Sequence, residues 1–382
     1  MSKSERSIET NAVHGAGFIK SLTGAVSTPI YQSATFKHRE LGVSTGYDYS
    51  RLSNPTRDEL EKTVALLEGG KDALAFASGM TAVSNLFAIF KPGDHIVISD
   101  DIYGGTYRYI EEVLKEYGIA ADYVDTTDLQ AVKAAIKANT KTIFIETPSN
   151  PLMKVTDISA VSEISKEWGL LTIVDNTFLT PYLQRPLDLG ADIVVHSGTK
   201  FLGGHNDTLA GFIVAKDDKI IERLKRIQKT LGGVLAPFDS WLILRGIKTL
   251  AIRMDKQESN TEAIAKWLKT HKKVEAVYYP GFEDYPGHEI MKKQSSGFGA
   301  MLSFTVDSED TVKRILKEVK LVSFAESLGG VETLITYPFV QTHGDVPEEV
   351  KESGGITKRL LRLSVGIEKA EDLISDLQQA LG

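Results

Sequence analysis

The chain is predicted to be an α/β protein with a large domain on a mostly parallel sheet and a smaller C-terminal α/β domain. Three observations predict this. Short apolar runs alternate with helix-length stretches from about residue 54 to residue 240. A length of 382 residues exceeds one ordinary compact core. After residue 240 the rhythm changes to one long helical pattern followed by shorter elements. The expected division is an arm at 1–55 that contacts a neighbouring subunit, a large domain at 56–240 and a small domain at 241–382.

Residues 1 to about 50 carry Gly24, Pro29 and scattered aromatics without a sustained period, so the segment is expected to be irregular and to lie on another surface. Asn54 then offers a helix cap and Pro55 a first helical position. Leu60, Val64 and Leu67 share one face before Gly69-Gly70 stops the helix. Strands are expected at 73–77, 95–99, 120–124, 142–146, 170–175, 192–196 and 211–215, and helices at 80–90, 103–117, 129–138 and 158–168. Strands separated by helices indicate a parallel sheet covered on both faces. Ligands of such sheets sit where the carboxyl ends of the strands meet the loops. Beyond 240 the pattern predicts a single helix over 240–270, then short elements at 274–278, 299–304, 311–319, 321–324, 360–365 and 370–381.

Composition removes several function classes. A formal charge of −7 opposes nucleic-acid binding, which needs a basic face. The absence of cysteine excludes disulfides, thiolate metal sites and a cysteine nucleophile. The N-terminal residues lack the apolar core of a signal peptide and no apolar run reaches the length of a membrane span, so a cytoplasmic protein is expected.

The chemistry gathers around ADIVVHSGTKFLGG (191–204), where an apolar strand passes through small polar residues to Lys200 and then into glycines. That arrangement carries one amine to the rim of a sheet, so Lys200 is the candidate covalent nucleophile. Ser78, Gly79 and Met80 lie between a strand and a helix and can aim backbone amides and a hydroxyl at an anion, although Ser-Gly also reads as a tight turn. Asp175 ends the apolar run LLTIVD and needs a cationic or donor partner, or caps a helix. Tyr103 begins a helix and can lay its ring on a flat ligand, or pack in the core. A lysine, a buried carboxylate, an anion cradle and a stacking ring together are the parts that pyridoxal phosphate (PLP) requires. No GxGxxG, GxxxxGK[ST] or HExxH pattern supports a dinucleotide, P-loop or zinc alternative, and no metal site is expected.

From about Thr23 to its end the chain resembles the Cys/Met-metabolism PLP-dependent enzymes, the trans-sulfuration family. The resemblance rests on GYDYSRLSNPT (46–56), ASGM (77–80), DIYGGTYR (101–108), ETPSNP (146–151), VDNTF (174–178), HSGTKFLGGH (196–205), AESLGG (325–330) and LLRLSVGIE (360–368). It implies the aspartate-aminotransferase-like fold, fold type I. It also implies that Lys200 holds the cofactor covalently and then moves protons. Asp175 would pair with the pyridine nitrogen, and Tyr103 would stack on the ring. Ser78, Gly79, Met80, Ser197 and Thr199 would hold the phosphate within one subunit. Tyr49 and Arg51 match residues that reach the neighbouring subunit's phosphate, which implies at least a dimer and usually a homotetramer. Arg362 matches the clamp for the substrate carboxylate; Asn150 and Ser327 match residues beside the substrate.

Within the family, Glu326 resembles cystathionine γ-lyases and γ-synthases, whereas β-lyases and methionine γ-lyases often carry an apolar residue there. Cystathionine γ-elimination is therefore the first expectation. The γ-synthase reaction is the close alternative, followed by the β-lyase and methionine γ-lyase activities. The chain departs from the commoner family pattern at Leu52-Ser53 and at YPFVQTHGD (337–345), both placed to affect substrate choice. A catalytically silent binding protein on the same fold is disfavoured by the retention of Lys200, Asp175, Tyr103 and Arg362 together.

Overall fold

Seven apolar runs of the N-terminal two-thirds become strands: β1 (Asp72–Phe76), β2 (His95–Ser99), β3 (Ala120–Val124), β4 (Thr140–Glu146), β5 (Leu171–Asp175), β6 (Ile193–Ser197) and β7 (Gly211–Ala215). The computed structural model describes residues 6–19 and 23–382. The strands form one sheet in the order β1-β7-β6-β5-β4-β2-β3. Only β7 runs against its neighbours, antiparallel to β1 and β6, while the β2–β3, β2–β4, β4–β5 and β5–β6 pairs are parallel.

Period-2 alternation sends the residues of each strand to opposite faces. On one face Phe76, Ile96, Ile98 and Phe144 pack with Leu86, Phe87 and Ile110. On the other, Ala75, Val194 and Val214 meet Leu60, Val64, Ile243 and Ile247, and Ile143, Ile145 and Val174 meet Ile158 and Val161. Two covered faces explain why the central strands β5, β6 and β7 are predominantly apolar rather than strictly alternating. The helix Pro55–Glu68 begins as its sequence anticipates: Asn54 caps it by accepting from the Thr56 N–H, and Gly69 closes it at φ +70°.

The C-terminal third forms a second sheet from β8 (Val274–Tyr278), β9 (Met301–Val306), β10 (Ser323–Phe324), β11 (Leu334–Thr336) and β12 (Leu360–Ser364), in the order β10-β11-β12-β9-β8. Leu361 and Leu363 point into a core with Leu302, Phe304, Ile264, Leu268, Leu373 and Leu377. The alternate residues of β12 therefore face the other way, and Arg362 is one of them.

Several local features differ from the sequence expectation. The helix anticipated over 240–270 is two, Pro237–Ile247 and Leu250–Thr270. Gly246 sits so close to the Gly203 carbonyl that a Cβ there would lie 2.1 Å from it. The Gly246 carbonyl is taken by the N–H and hydroxyl of Thr249 and by the Arg253 guanidinium, which ends the first helix. Tyr103 is extended (φ −48°, ψ 127°), and its helix starts at Gly104 and loosens into a π-turn at Ile110–Leu114. The N-terminal segment, expected to be irregular, contains a helix, Ile8–His14, capped by Ser7. The amphipathic helix Asp218–Leu231, which the sequence reading passed over, follows β7. No described helix is long and apolar enough to cross a membrane.

Candidate active site

The carboxyl ends of β1, β4, β5 and β6 open into a cavity of about 460 Å³, lined also by Arg362 of β12 and by the segments around Glu326–Leu328 and Gln341–Asp345 of the C-terminal third. Ser78, Gly79, Met80, Tyr103, Asn150, Asp175, Ser197, Thr199, Lys200, Glu326, Ser327 and Arg362 all line it. Tyr49 and Arg51 do not line it.

At one end the chain leaves β1 through Ser78 into the helix Gly79–Phe87. Ser78 caps that helix, its Oγ accepting from the Thr81 N–H at 3.0 Å. The first N–H groups of the helix have no intrahelical acceptor and are available to an anion. Glycine is required at 79, because a Cβ would lie 2.9 Å from that of Ser197. Gly211 of β7 is equally constrained by the Ser78 carbonyl, 2.1 Å from where its Cβ would be. Opposite this helix end, Thr199 is fixed by accepting from the Ala210 N–H at 3.0 Å, while the Ser197 N–H donates to Thr177 Oγ1 at 2.9 Å.

Lys200 follows β6 on the loop Gly198–Gly204. Its Nζ donates to Ser327 Oγ at 2.7 Å. Burial, reinforced by the positive charge of Arg362, lowers its pKa to about 8, with Glu326 opposing the shift. An amine so placed is deprotonated over a usable fraction of its population near neutrality, as a nucleophile and proton carrier needs. Ser327 holds φ +92°, an unfavourable region for a side chain with a Cβ.

Arg362 projects from β12 and is fully buried. Its Nη1 donates to Asn150 Oδ1 at 2.7 Å, and its Nη2 donates to the Ser327 carbonyl at 3.0 Å and to Thr336 Oγ1 at 3.2 Å. Its Nε is buried without a protein partner among the described residues. A buried donor left unmatched is costly, and a planar carboxylate lying against the guanidinium edge would satisfy it.

Asp175 ends β5. Its Oδ1 accepts from the Thr177 N–H at 3.0 Å and from the Thr177 hydroxyl. Burial raises its pKa, against the Thr177 hydrogen bonds and the positive influence of His196. His196 lies in β6, hydrogen-bonded at 2.6 Å to buried Glu68, which also accepts from Asn176 at 2.9 Å. Glu146 ends β4 beside Asp175 and accepts from the Tyr103 N–H at 3.0 Å. Burial first, then the nearby Asp175 charge, raises its pKa well above the usual range. The Tyr103 ring stands at the cavity mouth next to Gly105, where a Cβ would come within 2.5 Å of it.

Sequence reasoning assigned no role to Glu146 or Thr177, nor to Arg108 and Asp345, which also line the cavity and form an ion pair with each other. ETPSNP and VDNTF contain the first two, but the pairing of Glu146 with Asp175 appears only once the strands are aligned. Tyr49 and Arg51 lie on an exposed stretch where Val26 and Leu41 are fully solvent-accessible. The Arg51 guanidinium lies 5.5 Å from the Tyr49 ring centroid and donates to the Lys229 carbonyl. Among the described residues no group of three or more His, Asp or Glu is arranged to hold a metal ion.

The donor set fits PLP. A helix N-terminus with flanking hydroxyls suits its phosphate, and a buried amine suits its aldehyde. Asp175 and Glu146 form a buried acidic pair that a protonated ring nitrogen would neutralise.

Comparison with known proteins agrees. The family model described as Cys/Met metabolism PLP-dependent enzyme matches residues 9–382. A cystathionine beta-lyase of Lactococcus lactis subsp. cremoris (strain MG1363) is 50% identical over 375 residues, covering 98% of this chain and 99% of the relative. A cystathionine gamma-lyase of Bacillus subtilis (strain 168) is 50% identical over 373 residues, 98% of each. The crystal structure of cystathionine gamma synthase from Xanthomonas oryzae pv. oryzae in complex with aminoacrylate and cysteine superposes with a TM-score of 0.96 at 42% identity, covering 98% of both chains. The chain therefore belongs to the Cys/Met metabolism PLP-dependent enzymes.

Proposed function

We propose that this enzyme catalyses the γ-elimination of cystathionine, converting cystathionine and water to cysteine, 2-oxobutanoate and ammonia. The carrying observation is Glu326, a carboxylate in the cavity wall close enough to Lys200 and Arg362 to influence both. In this reading Arg362 and Asn150 hold the α-carboxylate of the reacting half, and Glu326 receives the ammonium of the distal half. Bound PLP supplies the electron sink for charge developing at the α-carbon. Lys200 takes the α-proton and gives it up again, then takes a proton from the β-carbon and delivers it to the γ-sulfur, which departs as the thiol as the Cγ–S bond breaks. Ser327 Oγ holds the amine in place between these transfers, and Tyr103 covers the ring.

The γ-synthase reaction, joining an O-acylated homoserine to cysteine, is a second reading that Glu326 also favours. Purified enzyme given cystathionine should release 2-oxobutanoate and cysteine. Pyruvate and homocysteine instead would assign β-elimination. Cystathionine formed from O-acetylhomoserine or O-succinylhomoserine plus cysteine, with no oxoacid released from cystathionine, would assign the synthase.

The lowered pKa of Lys200 gives a pH expectation. Only the neutral amine adds to the cofactor aldehyde, so uptake of PLP by the apoprotein should accelerate as pH rises through about 8 and level off above it. A rate that does not change between pH 7 and 9 would contradict that assignment.

The exposed stretch carrying Tyr49 and Arg51 supports a shared site. In this reading residues 1–55 form an arm against a second copy, 56–240 carry the cofactor and 241–382 form the small domain, in a homotetramer built from dimers. Arg51→Ala should weaken PLP retention by about tenfold, the worth of one charge-assisted hydrogen bond to phosphate. Equilibrium dialysis at a concentration where the oligomer persists measures this, and a fully active monomer would contradict the shared site.

A further inference from the structure

Glu146 is the buried ionisable group in the cavity to which neither the sequence motifs nor the elimination chemistry gives work. It is only 7% exposed. Its Cα is the register partner of the Asp175 Cα at the ends of adjacent parallel strands, so the two side chains leave the same face of the sheet one strand apart. Two carboxylates so placed, both away from water, cannot readily carry charge together. Their surroundings decide which one does. Asp175 receives the Thr177 N–H and hydroxyl and lies within the influence of His196. The Glu146 carboxyl receives one hydrogen bond among the described residues, from the Tyr103 N–H. The other ionisable groups around it are Asp101, on the turn after β2, the Tyr103 phenol, Arg362 on β12 and Lys200 after β6. Asp101 adds to the repulsion. Arg362 favours the charged form, but its Nη groups are committed to Asn150, Ser327 and Thr336.

Resting on the reading of this cavity as the cofactor site, we propose that Glu146 is a positioning residue that keeps its proton, anchors the Tyr103 backbone and leaves Asp175 as the single charged carboxylate facing the ring nitrogen. The proton leaves an oxygen free to accept from Tyr103, and the acceptor fixes the turn from which the Tyr103 ring covers the cavity. Tyr103 makes no side-chain capping hydrogen bond to its helix. Burial and the adjacent Asp175 push the Glu146 carboxyl upward in pKa, in accord with this arrangement.

Glu146→Gln keeps both the acceptor and the neutral charge, whereas Glu146→Leu keeps neither the acceptor nor any polarity. Titrating each apoprotein with PLP at pH 7 should show E146Q within about threefold of the wild-type affinity and E146L weaker by about tenfold or more, the worth of a lost buried hydrogen bond. A second measurement is independent of the cofactor. The unfolded chain ionises Glu146 at the ordinary carboxylate value while the folded chain holds the proton to higher pH. The wild-type apoprotein should therefore lose melting temperature relative to E146Q as pH rises above the ordinary carboxylate range, and match it at more acidic pH. E146Q binding as poorly as E146L would overturn the proposal, because the charge rather than the acceptor would then be what matters. A melting difference independent of pH would overturn it too. If E146L does not fold, the comparison of wild type with E146Q decides by itself. A wild-type protein that takes up no PLP would count against the cofactor site and leave the melting comparison intact.

Discussion

Lys200→Ala is expected to yield a folded protein that still admits PLP but does not hold it covalently and lacks the wild-type visible spectrum, with cystathionine turnover reduced by about a thousandfold or more. The magnitude follows from removing the nucleophile and the proton carrier in one substitution. Folding should survive. Burial already works against the Lys200 charge, so its loss removes an unfavourable group, and Ser327 Oγ forfeits only one partner. Absorbance spectra of wild type and variant after addition of PLP provide the first check, and a melting curve the second. Partial recovery of turnover with a small exogenous amine would locate the defect in the missing amine rather than in the cavity's shape. A variant with the wild-type visible spectrum would remove Lys200 from the chemistry altogether.

Asp175→Ala should weaken PLP affinity by about ten- to a hundredfold, the range for a buried charge-assisted hydrogen bond, and reduce turnover further. If Asp175 faces the ring nitrogen as proposed, its loss would leave that nitrogen without the carboxylate that keeps it protonated, and the ring would take up charge less well. The apoprotein should nevertheless melt no lower than wild type. Burial raises the Asp175 pKa, so the substitution takes a charge that burial disfavours out of the interior. Affinity comes from titration of the apoprotein and stability from its melting curve. Unchanged affinity would mean that Asp175 faces something other than the ring.

The sequence made the strands readable wherever an apolar run stood between clear stops. β2, β3 and β7 begin and end at the residues their patterns predict, because Pro92-Gly93, Gly118 and Ala210-Gly211 interrupt neighbouring periods. The break at Lys248–Thr249 was not readable. It depends on Gly246 meeting the Gly203 carbonyl, a contact between segments more than forty residues apart. The same distinction governs the site. Lys200, Asp175 and Ser78 announce themselves through the strand-to-loop junctions that present them. Glu146 has such a junction as well, yet its significance depends on which strand lies beside β4, and strand order is not written locally. The Arg108–Asp345 ion pair, joining residues 237 apart, was still less accessible. Tyr49 and Arg51 were recognisable only by resemblance, since nothing within one copy of the chain draws them to the cavity.

Ser327 shows what the site demands of its scaffold. A glycine would accept φ +92° without steric cost, and a serine accepts it at a penalty of about 1–3 kcal/mol. Glycine would supply the carbonyl that Arg362 uses, but not the hydroxyl that meets Lys200 Nζ. One backbone position thus faces the guanidinium through its main chain and the amine through its side chain. Selection for thermal robustness alone would drift toward glycine here, and selection for turnover would resist it, so this residue is a point at which durability and catalytic competence pull against each other.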